Sequence, residues 1–206
     1  QLQLGLTSEV GDVLERLDQL TEEDAPLFSK ASFELLRDGF EKDAKVLIEK
    51  STDISRTAED LTRLGLLQLS LNNLDGIVNL EEAVSKSPEL ESAQTTLAKA
   101  YLVTKQYDKA LELANNWKKT SPTDSKPYLL AGDIYTRQKK FAEATVEIEK
   151  ASALDSNSPI SSLAMVNVMV AQKEMQKANL LLEQMLIEFP NNVPVLATNY
   201  LVSKQI

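Results

Sequence analysis

The side chains best able to do chemistry in this chain are carboxylates, which cluster at Glu22-Glu23-Asp24 and at Glu81-Glu82. A pair of carboxylates can supply the acid and the base or nucleophile of glycoside hydrolysis. The pattern here favours solvated helical faces instead, because no neighbouring group is available to separate the pKa values of two carboxyls. We therefore predict that the chain has no catalytic residue and is not an enzyme.

The chain has no histidine and no cysteine. It therefore lacks the commonest general base, the commonest transition-metal ligand, and any thiol for nucleophilic attack or a disulfide. Residues 155–158 resemble the start of a calcium-binding loop but have neither its glycine nor its bidentate glutamate, which favours an ordinary turn. No glycine-rich phosphate-binding loop occurs. We predict no metal ion and no cofactor.

The charge is acidic and unevenly distributed. The net charge is −9, and residues 1–60 hold 15 Asp and Glu against 7 Lys and Arg. Because no basic track exists to neutralise phosphates, nucleic acid is not expected as a partner. No stretch of about eighteen apolar residues occurs, so we predict no membrane-spanning segment in the sequence.

The elements that would position any functional side chain recur every 34 residues. Apolar residues follow helical spacings of three and four throughout, without sustained strand-like alternation. A small residue recurs at Gly76, Ala110, Ala144 and Ala178, and a residue that ends a helix recurs at Pro88, Pro122, Ser156 and Pro190. Such a period predicts tandem pairs of helices, in which the small residue allows close approach and the proline stops the second helix.

The repeat that starts at Ser125 has a specific pattern within its 34 positions. Positions 4, 7, 8, 11, 20, 24, 27 and 32 hold Tyr128, Ala131, Gly132, Tyr135, Ala144, Ile148, Ala151 and Ser156. This pattern resembles the tetratricopeptide-repeat (TPR) family. The resemblance implies an all-α, right-handed superhelical solenoid of antiparallel helix pairs, with a small residue from each helix at the contact between them.

The resemblance predicts one array over residues 1–206. The full repeats are 57–90, 91–124, 125–158 and 159–192, preceded by an irregular repeat at 25–56 and a shortened one at 1–24. Leu64-Gly65 sits one place late in its repeat, so we expect an altered turn at Asn72-Asn73. Residues 193–206 are interpreted as the lone first helix of a truncated repeat. Its apolar residues predict an exposed strip and possible self-association.

In the TPR family the first helix of each pair lines a concave groove, through repeat positions 2, 5, 9, 12 and 13. Carried onto this sequence, these positions predict a binding surface for a peptide or protein. Its residues are Ser92, Thr95, Lys99, Lys126, Leu129, Asp133, Thr136, Arg137, Ile160, Leu163, Asn167 and Val170. The predicted surface is polar near the middle of the array and apolar toward the C-terminus.

Several phrases resemble one branch of the family more specifically. Residues 63–66, 75–83, 97–102, 107–111 and 126–135, in this order, are similar to the bacterial TPR-repeat lipoproteins of the PEP-CTERM protein-sorting and exopolysaccharide system. The likeness covers most of residues 57–202. It implies a non-catalytic scaffold in the periplasm or anchored at the outer membrane, with the lipidated cysteine upstream of Gln1.

Two alternatives remain open. The chain could be the recognition arm of a larger enzyme such as a glycosyltransferase, which a catalytic domain in the parent reading frame would reveal. It could also be a cytoplasmic TPR adaptor, which an upstream lipoprotein signal would exclude. The start at Gln1 and the apolar end of the chain predict a piece excised from a longer protein.

Overall fold

The computed structural model describes residues 25–205, apart from the side chains at 25, 26, 29 and 51–54. The predicted short repeat at 1–24 lies outside these residues. The described part contains eleven helices and no strand, as the periodicity predicts. The helices are α1 (Ala25–Arg37), α2 (Glu41–Ile54), α3 (Ala58–Ser70), α4 (Asp75–Lys86), α5 (Glu91–Val103), α6 (Tyr107–Thr120), α7 (Lys126–Arg137), α8 (Phe141–Leu154), α9 (Pro159–Ala171), α10 (Met175–Glu188) and α11 (Val193–Ser203).

The turn inside each repeat contains one residue with a left-handed backbone. These residues are Gly39, Asn72, Lys105, Lys139 and Lys173, with φ values between 57° and 88°. In four of the turns the next N–H donates to the carbonyl five residues earlier, as from Lys140 to Tyr135 at 2.8 Å. This arrangement is a Schellman motif, which satisfies carbonyl groups at the end of the first helix and reverses the chain. The two helices of a repeat are therefore antiparallel neighbours.

The turn at Asn72-Asn73 differs from the others, as the late Leu64-Gly65 pair predicts. The left-handed residues Lys105, Lys139 and Lys173 lie 34 residues apart, whereas Asn72 lies 33 before Lys105. Helix α4 also begins three residues after its left-handed residue, whereas α8 and α10 begin two residues after theirs. The first helix of this repeat therefore runs one residue further than its counterparts.

Small residues bring the helices of a pair together at the predicted positions. A Cβ atom added to Gly65 in α3 would lie 2.7 Å from the carbonyl oxygen of Gly76 in α4. One added to Gly132 in α7 would lie 3.5 Å from the carbonyl oxygen of Ala144 in α8. These distances leave little or no room for a side chain, so glycine is required for this approach at Gly65.

The chain divides into two compact units, Gln1–Thr104 and Lys105–Ile206. In the first unit, Phe28, Leu35 and Leu47 form a buried cluster between α1 and α2. In the second, Val166 of α9, Leu182 of α10 and other apolar side chains form a buried cluster that extends to α11. Each unit therefore has its own core. The arrangement of all repeats in one continuous array stays a prediction.

Candidate functional site

The carboxylates singled out in the sequence make structural contacts. The Tyr101 hydroxyl donates to Glu81 Oε1 at 2.6 Å, and the Arg56 guanidinium donates to Glu82 Oε2 at 2.5 Å. The bond from Arg56 lowers the pKa of Glu82 below its usual range. A catalytic acid needs the opposite shift, because it must hold its proton near neutral pH. Glu22-Glu23-Asp24 lies outside the described residues.

Two further properties of the described residues bear on function. Within residues 25–205, no group of three or more Asp or Glu side chains is placed to hold a metal ion. None of the helices in that range is both long enough and apolar enough to cross a lipid bilayer.

A solvent-open cavity of about 460 Å³ lies between α3 and α5, the first helices of two successive repeats. Helices α3 and α5 are in direct contact in the first unit. Most of the cavity wall is apolar, and the rim carries hydroxyl and amide groups. The lining residues are Leu66, Leu69, Ser70, Asn72, Leu74, Thr96, Lys99, Ala100, Val103 and Thr104.

The helical period explains which side chains face this cavity. Helix α5 buries Leu97, Ala98 and Tyr101. Thr96, Lys99 and Val103 follow one another at spacings of three and four, so they share a different stripe of the helix. The structure leaves Lys99 and Val103 exposed on that stripe.

Helix α3 supplies the facing wall of the cavity. It buries Leu61, Leu64 and Leu67 and presents Leu66 toward solvent, and Leu74 is exposed in the turn that follows. The cavity therefore has exposed leucine and valine side chains on both sides. Apolar walls with a few placed polar groups are typical of protein binding sites.

Lys99 gives the cavity its charge. Among the described residues that line it, Lys99 alone is charged, and no carboxylate lies on the wall. The neighbouring polar groups include the Ser70 and Thr96 hydroxyls and the Asn72 amide. The site therefore combines apolar surface with one cation, in a chain whose net charge is −9.

The predicted groove residues of the first unit separate into two groups. Lys99 lines the cavity, whereas Ser92 and Thr95 do not. Ser92 is exposed further along α5. Thr95 is half-buried, and its hydroxyl oxygen is buried without a hydrogen-bond partner among the described residues.

The predicted polar residues of α7 interact within their own helix. Arg137 Nε donates to Asp133 Oδ1 at 3.0 Å, and this bond raises the pKa of Arg137. The Thr136 hydroxyl donates to the Gly132 carbonyl at 2.7 Å. Lys126 is exposed at the start of the helix, and Leu129 is half-buried. This face therefore presents a paired acid and base with little net charge.

The predicted residues of α9 form an almost entirely apolar face. Ile160 and Asn167 are exposed, whereas Leu163 and Val170 are half-buried and pack against the core cluster of α9, α10 and α11. No charged residue occurs between Asp155 and Lys173. The structure thus places the twelve predicted residues on three helices of different character, and it brings only Lys99 into the α3/α5 cavity.

Sequence reasoning missed most of the apolar wall of this cavity. Leu66, Leu69, Leu74 and Val103 were not predicted. The late Leu64-Gly65 pair is the signal that could have found Leu66, because it shifts the repeat frame by one place. With that shift Leu66 corresponds to Lys99, 33 residues later. Val103 occupies repeat position 13, as the predicted Arg137 does.

Comparison with known proteins supports this fold. The family model described as "Anaphase-promoting complex, cyclosome, subunit 3" matches residues 73–151. A search of curated proteins found no significant match.

Three solved structures illustrate the structural likeness. A tetratricopeptide repeat protein from Parabacteroides merdae is 14% identical, with 87% of this chain and 72% of that chain covered and a TM-score of 0.69. The TPR protein TTC0263 from Thermus thermophilus is 17% identical, with 86% and 98% covered and a TM-score of 0.65. The pilF protein of Pseudomonas aeruginosa is 18% identical, with 88% and 84% covered and a TM-score of 0.63. The chain therefore has the all-helical fold of TPR solenoid proteins.

Proposed function

We propose that this chain is a non-catalytic scaffold that binds a peptide or protein partner on the exposed faces of the first helices of its repeats. The observation that carries the proposal is the α3/α5 cavity, which holds exposed Leu66, Leu74 and Val103 around Lys99. A volume of about 460 Å³ falls within the roughly 300–1,000 Å³ of small-ligand pockets. It is large enough for one or two apolar side chains of a bound segment.

The chemistry of the cavity selects the kind of segment. Leucine and valine walls favour an aliphatic or aromatic side chain, because its burial removes apolar surface of both partners from water. Lys99 favours a carboxylate placed beside that side chain, and no acidic residue on the cavity wall competes for it. The preferred ligand is therefore a segment with an apolar anchor next to Asp, Glu or a C-terminal carboxylate.

We further propose that the scaffold works in a bacterial envelope system for protein sorting or exopolysaccharide export, in the periplasm or anchored to the outer membrane. The support is the resemblance of residues 57–202 to the PEP-CTERM-associated TPR lipoproteins. Fractionation of cells that express the full parent gene tests this placement. Recovery of the protein in the cytoplasm would contradict it.

Binding is tested with a peptide library. The chain is used to select ligands from random peptides, and the dissociation constant of the best peptide is measured by calorimetry for the parent and for variants. Leu66→Asp should weaken binding about tenfold or more, because buried apolar anchors dominate such interfaces. Lys99→Glu should also weaken it, and changing the peptide carboxylate to Lys should restore part of the loss.

Val78→Asp is the matched control, because Val78 is an exposed aliphatic residue of the same unit that does not line the cavity. Its affinity should equal that of the parent. The wider predicted surface is tested by changing Lys99, Asp133 and Asn167 together, with the fold monitored by circular dichroism. If Val78→Asp, or changes on exposed second-helix faces, abolish binding while the cavity variants do not, the first-helix proposal is wrong.

A further inference from the structure

Helix α11 has apolar side chains on two opposite faces. Val195 and Val202 are buried in the cluster that includes α9 and α10. On the other side, Val193, Leu196, Tyr200 and Leu201 are 72%, 45%, 58% and 60% exposed. These four are among fourteen exposed large hydrophobic residues in the described part of the chain, and they occupy one helix of 11 residues. Such a concentration marks an interaction surface.

The exposed face has the spacing of a surface that packs on another helix. Val193, Leu196, Ala197, Tyr200 and Leu201 follow one another at intervals of i, i+3, i+4, i+7 and i+8. A helix that buries one face normally shows this apolar stripe once and is polar on the opposite side. Here the stripe occurs a second time, so the geometry points to a helix as the missing neighbour.

The charge pattern favours a second copy of the same chain as that neighbour. No charged residue occurs between Glu188 and Lys204. Two such faces can meet without opposing like charges. Lys204 lies beyond the apolar stripe, with its Nζ 4.3 Å from the centre of the Tyr200 ring.

We propose that α11 packs against α11 of a second copy, antiparallel and across a two-fold axis. A two-fold contact uses the same patch on both copies, which the absence of charge in this segment permits. Covering the four exposed side chains buries on the order of 400 Å² per copy, less than the roughly 800 Å² per partner of a standard interface. The dimer is therefore weak and depends on concentration. This proposal does not rest on the binding function of the α3/α5 cavity.

Sedimentation velocity of the 206-residue chain tests the association, over concentrations from about 10 µM to about 1 mM. We expect the sedimentation coefficient to rise toward that of a dimer as concentration increases. Leu196→Glu with Leu201→Glu should raise the dissociation constant at least tenfold, because four carboxylates would meet at the two-fold contact. Both residues are exposed and Glu favours helix, so the fold should persist.

The matched control is Leu180→Glu with Ile187→Glu on α10, whose side chains are 59% and 82% exposed in the same unit. It should dimerise like the parent. A chain that stays monomeric at about 1 mM would overturn the proposal and leave this face to a different protein. Equal loss of the dimer in the control pair would also overturn it, because the contact would then lie elsewhere.

A single cysteine distinguishes the two-fold arrangement, since the natural chain has none. Ala197→Cys lies near the centre of the exposed stripe and should form a disulfide-linked dimer under mild oxidation. Ile187→Cys, which is exposed on α10, should remain mostly uncrosslinked at the same concentration. The reverse result, or equal crosslinking of both variants, would contradict pairing through α11.

Discussion

Replacing Gly132 with alanine sets two opposing effects of known size against each other. Alanine favours a helix over glycine by about 1 kcal/mol. Its Cβ, however, would lie 2.7 Å from Ile148 Cγ1, and Ile148 is only 1% exposed in the core of α7 and α8. Overfilling such a contact costs roughly 1–3 kcal/mol. The clash involves an atom near the Ile148 backbone, so we expect a net loss of about 1–2 kcal/mol, toward the upper part of this balance.

A double-mutant cycle identifies the cause. Ile148→Ala removes Cγ1 and alone should cost about 2–5 kcal/mol through the cavity it leaves. In that background Gly132→Ala no longer meets this atom, so its effect should change sign and become stabilising by up to about 1 kcal/mol. The coupling between the two substitutions should therefore be about 2 kcal/mol or more, which is large for a single contact.

Urea unfolding measures these free energies, and the single tryptophan is a suitable probe. Trp117 is buried in the same unit as Gly132 and Ile148, so its fluorescence reports on that unit. Gly39→Ala is the control: nothing lies within 4 Å of its added Cβ, and its cost arises from a φ of +88°. That cost should simply add to the cost of Ile148→Ala. Unchanged or increased stability of Gly132→Ala with Ile148 intact would refute the close packing of α7 on α8.

Three further predictions concern stability. Ala110→Leu and Ala144→Leu replace side chains with no solvent exposure, so each should lower the free energy of unfolding by roughly 1–3 kcal/mol in urea titrations; unchanged midpoints would contradict the repeat frame. Lys139→Gly should raise the melting temperature, because lysine at φ +60° costs about 1 kcal/mol relative to glycine. The pKa of Glu82 is lowered by Arg56, so the stability that Arg56→Gln removes should be largest above about pH 5 and disappear as acid protonates Glu82; a pH-independent difference would contradict the ion pair.

The sequence by itself determined the helical pairs and the place where each pair makes its closest contact. Small residues recur every 34 positions, and a helix contact of this kind tolerates only Gly or Ala, so the pattern is readable without coordinates. Gly65 against Gly76 and Gly132 near Ala144 confirm this prediction. The altered turn at Asn72-Asn73 was also readable, because one extra residue in a helix displaces every later position of the repeat.

Only the tertiary structure decided which side chains form a site. One residue in a helix corresponds to a rotation of about 100°, so a shift of one place exchanges the residues that face a neighbouring helix. This shift brings Leu66 rather than Gly65 opposite Lys99 in the cavity of α3 and α5. Partner choice among nearby polar groups is equally invisible in sequence. Asp133 pairs with Arg137 four residues away, and Glu82 pairs with Arg56 from another repeat, because side-chain reach and helix packing together set these distances.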